Sequence, residues 1–254
     1  MTKHSIALFA ALTGVLLFAG CDDRTPQTTV VIIDTSLSIT PRALRSAFDA
    51  VQNQIATLQR GDRLILIPIT GDALNDTQGR ILRLTAPTCR EAYDADMRRF
   101  AVQSKKQFAE WAASLTPHQK RTDILGTLDI VRQEFAAIPK GTGRLVIVSD
   151  FLEDDSSYNF VTSPKFTTVG HANGFAFVLR AERHFSLWGV PICLGRLEST
   201  DFAALSPERR EAIQAFWMEY LAEKDRAPEL HFDGTGMLAN GDGCATRPQH
   251  AASN

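Results

Sequence analysis

Apolar positions fall into two alternating rhythms along this chain. Thr29–Ile33 and Arg144–Ser149 are nearly unbroken β-branched and apolar runs, and Arg63–Ile69 is a third that carries Pro68 near its end. Runs of this kind predict strands covered on both faces, the pattern of a mostly parallel sheet. Between them the spacing changes to that of helices. Leu44, Phe48, Val51, Ile55 and Leu58 recur at helical intervals after Thr40-Pro41, an N-cap followed by a first-turn proline, and Gly61 closes the segment. Tyr93, Met97, Phe100, Phe108, Trp111 and Leu115 mark a long helix, and Ile124, Leu128, Val131, Phe135 and Ile138 mark another. Arg80–Leu84 reads as a short strand able to pair with Arg63–Ile69.

The second half is less regular. Glu153–Gly174 is polar, rich in turn formers, and reads as a long loop or insertion. Phe175–Trp188 reads as a helix giving way to a strand at Val190–Leu194, although Phe175–Leu179 alone also suits a strand. Ser206-Pro207 opens a last helix with Ile213, Phe216, Trp217, Tyr220 and Leu221 on its inner face. The order of elements predicts a single α/β domain with a doubly wound, mostly parallel sheet, helices on both faces, and one short antiparallel edge strand. No internal repeat or domain boundary interrupts it.

The amino terminus changes the picture of where this domain works. Met1–Gly20 has a basic start at Lys3 and an apolar run from Ile6 to Phe18, too short for a comfortable membrane span and typical of an export signal. Leu17-Phe18-Ala19-Gly20-Cys21 resembles a bacterial lipobox, in which Cys21 is lipidated and becomes the mature amino terminus. The other reading is an ordinary cleaved signal with Cys21 as a structural thiol. The expected organisation is a signal peptide at 1–20, a tether at 21–28, the domain at 29–233 and a loose Gly-rich tail at 234–254. Lipid on Cys21 would hold the chain at a cell membrane, facing the periplasm or exterior. Asp22 directly after it resembles an inner-membrane retention signal of enteric-type bacteria.

A formal net charge of −2, with Lys and Arg scattered, gives no basic stripe and no hint of nucleic-acid binding. Export permits disulfides. Cys193 sits in an apolar run and reads as a buried thiol, which leaves Cys89 and Cys244, both in loop-like surroundings, as the candidate bridge. The absence of any CxxC pair or Cys/His cluster argues against zinc.

The candidate chemistry lies where the first strand runs out. Asp34-x-Ser36-x-Ser38 offers a carboxylate and two hydroxyls at alternate positions, a hard-oxygen ligand set for a small divalent cation. Such residues also serve as turn and cap formers. Two further segments raise the signal: Asp150 ends the second strongly apolar strand, and Thr122 stands just before an amphipathic helix. In a doubly wound sheet, loops from the carboxyl ends of central strands converge on one crevice.

With these residues in this order, Thr29 to Leu221 resembles a von Willebrand factor type A (VWA) domain. The resemblance implies that Asp34, Ser36, Ser38, Thr122 and Asp150 form a metal-ion-dependent adhesion site for Mg2+ or Mn2+. It also implies that a partner protein supplies a carboxylate as the last ligand. Two positions depart from the family pattern. Lys120-Arg121 precede Thr122 where glycine is common, and Phe151 follows Asp150 where glycine is again common. The basic pair is either solvated loop charge or an added attraction for an acidic partner, and its repulsion of a cation is offset by the nearby Glu153, Asp154 and Asp155.

The expected function is therefore a membrane-anchored, cation-dependent protein-binding module. A structural lipoprotein with an idle site is the alternative. A metal-assisted hydrolase is a weaker one, because His4, His118, His171, His184, His231 and His250 are scattered and no nucleophile–base pair stands out.

Overall fold

The structure is a computed structural model, and it describes residues 24–88, 93–115, 120–139, 142–187, 190–222 and the backbone of 229–231. Six strands form one sheet: β1 (Thr28–Asp34), β2 (Arg63–Ile69), β3 (Leu82–Thr85), β4 (Gly143–Ser149), β5 (Ile192–Arg196) and β6 (Glu229–His231). Their spatial order is β3-β2-β1-β4-β5-β6, parallel throughout except for the antiparallel edge strand β3. This is the expected doubly wound arrangement. The edge strand begins two residues later than its sequence suggests, because helical turns at Ala73–Thr77 and Gln78–Arg80 precede it.

The alternation along each strand sorts its side chains into two cores. Val31 and Ile33 of β1 join Leu64, Leu66, Val146 and Val148 under α1 (Pro41–Thr57) and α2 (Tyr93–Ser114). Val30 and Ile32 face the other way, toward α3 (Ile124–Ala136), α4 (Val169–Glu182) and α6 (Pro207–Leu221). A short α5 (Thr200–Ala204) follows β5. The predicted caps act as such: the Thr40 hydroxyl accepts from Ala43 N, and that of Ser206 from Arg209 N, each with proline at the first turn.

Two expectations change. Helix α4 starts at Val169, inside the stretch that reads as loop. Gly170 and Gly174 lower its propensity, but Ala172, Ala176 and Leu179 are buried against the rest of the core, and the Thr168 hydroxyl caps it by accepting from His171 N. Cys193 is buried and disulfide-bonded, not the free thiol its apolar neighbours suggest. Cys21, Cys89 and Cys244, and with them the candidate Cys89–Cys244 bridge, lie outside the described residues, as do the signal segment and the tail.

The register puts the carboxyl ends of β1, β2, β4 and β5 at one edge, with Asp34 opposite Ile69 and Ser149 opposite Arg196. Strand β1 leads through α1 to its neighbour on one side, while β4, on its other side, leads through α4 to β5. The winding direction reverses between β1 and β4, which opens a crevice above Asp34. At the opposite edge Arg24 forks onto Asp62 with contacts of 2.8 and 3.2 Å, and Gln27 N donates to the same carboxylate at 2.9 Å. Residues 24–27 are thereby tied to the amino end of the sheet. No described helix is long and apolar enough to cross a membrane.

Candidate metal centre

Asp34 ends β1 fully buried. Its Oδ1 accepts from Ser36 N at 2.8 Å, which tightens the turn, and its Oδ2 accepts from the Ser149 hydroxyl at 2.7 Å. The Ser36 and Ser38 hydroxyls lie 3.0 Å apart, and Ser38 donates to Asp150 Oδ2 at 2.9 Å. Asp150 Oδ1 in turn accepts from Leu152 N at 3.0 Å. One hydrogen-bonded cluster thus joins four of the five candidate ligands.

Thr122, the fifth, is buried at the same edge. Its backbone exchanges two 2.9 Å hydrogen bonds with Asp154, and the next residue, Asp123, donates its N–H to Thr70 O at the end of β2. The segment therefore stands between the loops that follow β2 and β4. None of the hydrogen bonds described above joins the Thr122 hydroxyl to the cluster.

The electrostatics of the crevice follow from its composition. Burial raises the affinity of Asp34 for a proton, outweighing the hydrogen bonds from Ser149 and Ser36. Asp150 is pushed up to about 7, first by burial and then by repulsion from Asp34. Among the described residues no Lys or Arg pairs with either carboxylate. Two desolvated acids with hydroxyl neighbours and no basic side chain form a donor set that suits a divalent cation.

A loop not foreseen from the sequence completes the wall. Thr40 N donates to Glu198 O and Thr200 N to Ser38 O, both at 3.1 Å, so residues 198–200 lie on the Asp34–Ser38 loop. The Ser199 hydroxyl caps α5 by accepting from Phe202 N, and it also bonds Asp150. In the sequence Ser149 reads only as the end of a strand, and Ser199 carries no signal of its own. Their place beside the acids depends on pairing across distant segments.

The acids near Thr122 have other duties. Buried Glu153 accepts from Ile124 N at 2.9 Å and Leu125 N at 3.3 Å, satisfying the start of α3, while burial and then repulsion from Asp123 and Asp155 raise its affinity for a proton. Asp123 accepts from Gly126 N at 2.6 Å and Ala73 N at 3.0 Å. Asp155 accepts from Ser157 N and Tyr158 N, both at 2.6 Å. Carboxylate oxygens of Asp123, Glu153 and Asp155 come within 4.8 Å of one another, a spacing that also suits a cation.

Both departures from the family pattern have structural accommodation. Phe151 adopts φ +64°, the left-handed region that glycine enters freely. Its ring is buried against Trp217 with centroids 6.2 Å apart, and Trp217 Nε1 donates to Phe151 O at 2.9 Å. Packing thus holds a backbone shape that costs roughly 1–2 kcal/mol for a residue with a Cβ. At the other position, the glycine missing before Thr122 is matched by one across the groove: a Cβ on Gly71 would lie 2.9 Å from the Arg121 Cβ. Gly71→Ala is expected to displace the 120–122 segment and to cost about 1–3 kcal/mol through overpacking. Chemical denaturation measures this, and a change below about 0.5 kcal/mol would show that the segment yields freely.

No family model matches the chain, and no curated protein matches it. Several solved structures do. Three amino-terminal domains of the type V pili tip protein Mfa5 from Porphyromonas gingivalis match at 18% identity and a TM-score of 0.36, covering 61% of this chain and 27% of that one. Manganese-loaded TRAP protein from Plasmodium vivax matches at 11% identity and a TM-score of 0.43, over 82% of this chain and 69% of that one. A von Willebrand factor type A structure from Catenulispora acidiphila matches at 17% identity and a TM-score of 0.37, over 76% and 43%. The chain therefore spans about a quarter of the Mfa5 fragment it resembles.

Proposed function

We propose that this chain is a VWA-type adhesion module. Its Asp34, Ser36, Ser38, Thr122 and Asp150 would hold Mg2+ or Mn2+, and the cation would bridge to an acidic residue of a partner protein. One observation carries this reading: two buried carboxylates, linked through Ser36 and Ser38, face one crevice with no basic side chain among the described residues to neutralise them. Retaining both without a cation is costly, because each desolvated charge repels the other. Exposed Lys120 and Arg121 flank the Thr122 segment, where they favour an acidic partner.

Lipid on Cys21 would anchor the module in a membrane, in a compartment facing the periplasm or exterior. Arg24, which is tied to Asp62, lies three residue steps from Cys21, a reach of at most about 10 Å. The anchor would enter at the amino end of β1 and the crevice would open at the carboxyl end, facing away from the bilayer.

Photo-crosslinking in native membranes tests this function. With a photoreactive residue at Leu37 on the rim, a discrete adduct is expected in Mg2+. It should disappear in EDTA and in Asp34→Ala. Adducts indifferent to both changes would favour the idle-site alternative.

A further inference from the structure

We propose that α4 is a self-association surface, pairing antiparallel with α4 of a second copy of this chain. The inference is independent of the metal site. Phe177 and Val178 on α4 are 68% and 50% exposed. At 100° per residue, Gly170, Gly174, Phe177, Val178 and Ala181 share a stripe about 100° wide, opposite the buried Ala172, Ala176 and Leu179. No Asp, Glu, Lys or Arg falls within that stripe. A helix that is apolar on both faces belongs in an interior, yet the outer face of this one meets solvent.

The glycines sharpen the point. A Cβ on Gly170 or Gly174 would meet nothing within 4 Å, so packing among the described residues gives no reason for glycine at either position. Glycine in an exposed helix interior weakens the helix. A second helix approaching closely supplies the missing reason.

The stripe is complementary to itself. Its amino-terminal half is small, at Gly170 and Gly174, and its carboxyl-terminal half is bulky, at Phe177 and Val178. Antiparallel pairing about a two-fold axis near residues 175 and 176 sets Phe177 of each copy over Gly174 of the other, and Ala181 over Gly170. Charge agrees with shape. His171 and Glu182 lie on the same flank of the stripe, so each copy's Glu182 comes to the amino end of the other's α4, beside His171. Glu182 has no ion-pair partner among the described residues. A single helix pair makes a small interface, so reversible association with a dissociation constant of about 10–100 μM is expected.

Sedimentation equilibrium of the purified protein is the test. Wild type should dimerise with concentration, and both Phe177→Glu and Gly174→Leu should weaken the dimer at least tenfold. Gly174→Leu is the informative variant, since leucine has room in the monomer and favours the helix, so folding is preserved while close approach is blocked. Val102→Glu, at a 71% exposed position on α2, should change nothing. A wild type that stays monomeric at about 500 μM would overturn the proposal and give the face to another occupant, such as the chain's own residues 232–254 or a foreign protein. A dimer that survives both α4 variants would overturn it equally.

Discussion

Trp217→Ala is expected to lower the unfolding free energy by about 3–5 kcal/mol and to loosen the loop that carries Asp150. Trp217 is buried among Phe151, Phe160, Phe216 and Tyr220, with ring centroids 5.1–6.2 Å away. Truncation opens a large cavity there. It also removes the donor to Phe151 O and the ring that keeps Phe151 in its left-handed conformation, one residue after Asp150. Trp217→Phe separates the two effects: it keeps most of the burial but leaves that carbonyl unpaired, for a cost of about 1–3 kcal/mol. Urea denaturation with an unchanged slope measures both variants. If Trp217→Ala lay within about 1 kcal/mol of wild type, the aromatic support beneath the crevice would not be what holds this loop.

The second large effect is expected at Asp150 and reverses sign with the cation. In the metal-free protein, burial and Asp34 raise the Asp150 carboxyl to about 7. The folded state then holds this proton more tightly than the unfolded chain does. Asp150 therefore contributes stability that is full below about pH 4 and is lost as pH rises through about 7. Asp150→Asn should make the metal-free protein more stable than wild type at pH 8, because it removes a buried charge while keeping the shape. With a divalent cation the order inverts. Ionised Asp150 would then be a ligand under the proposed function, and at 100 times its dissociation constant the ion would add about 2.7 kcal/mol to wild type, or roughly 5–11 °C in thermal midpoint. The rise should be larger at pH 8 than at pH 5.5, where the cation competes with the proton. It should be absent from Asp150→Asn at both. A variant that is less stable than wild type without metal, yet still responds to it, would contradict this account of the charge.

These effects converge on residues that differ in how visible they are in the sequence. Asp34, Ser36 and Ser38 are legible because they follow a buried strand at alternate positions, and Asp150 because it ends a second such strand. Strands of this kind announce themselves by burial on both faces, and β1 and β4 lie side by side as that pattern predicts. The start of helix α4, before Phe175, was hidden because Gly170 and Gly174 read locally as loop, whereas its stability comes from packing on α6, which no local pattern reports. Ser149, Ser199 and Gly71 are ordinary in sequence and gain their roles only when distant segments meet. Glu153 is misleading in sequence. It opens a polar stretch that reads as loop, yet the chain turns it inward to the start of α3. The oxidised state of Cys193 was equally hidden, since an apolar neighbourhood suits a free thiol and a buried disulfide alike.

The Asp34–Asp150 crevice, and not the neighbouring Asp123, Glu153 and Asp155 carboxylates, is expected to hold a divalent cation. Titrating the purified protein with Mn2+ at pH 8, and following the free ion by electron paramagnetic resonance, tests it most directly. Stoichiometric uptake is predicted in wild type, displaced by excess Mg2+, abolished in Asp34→Asn and retained in Asp155→Asn. Uptake that survives Asp34→Asn and is lost in Asp155→Asn would move the ion to the other cluster, and no uptake by wild type would contradict the claim outright.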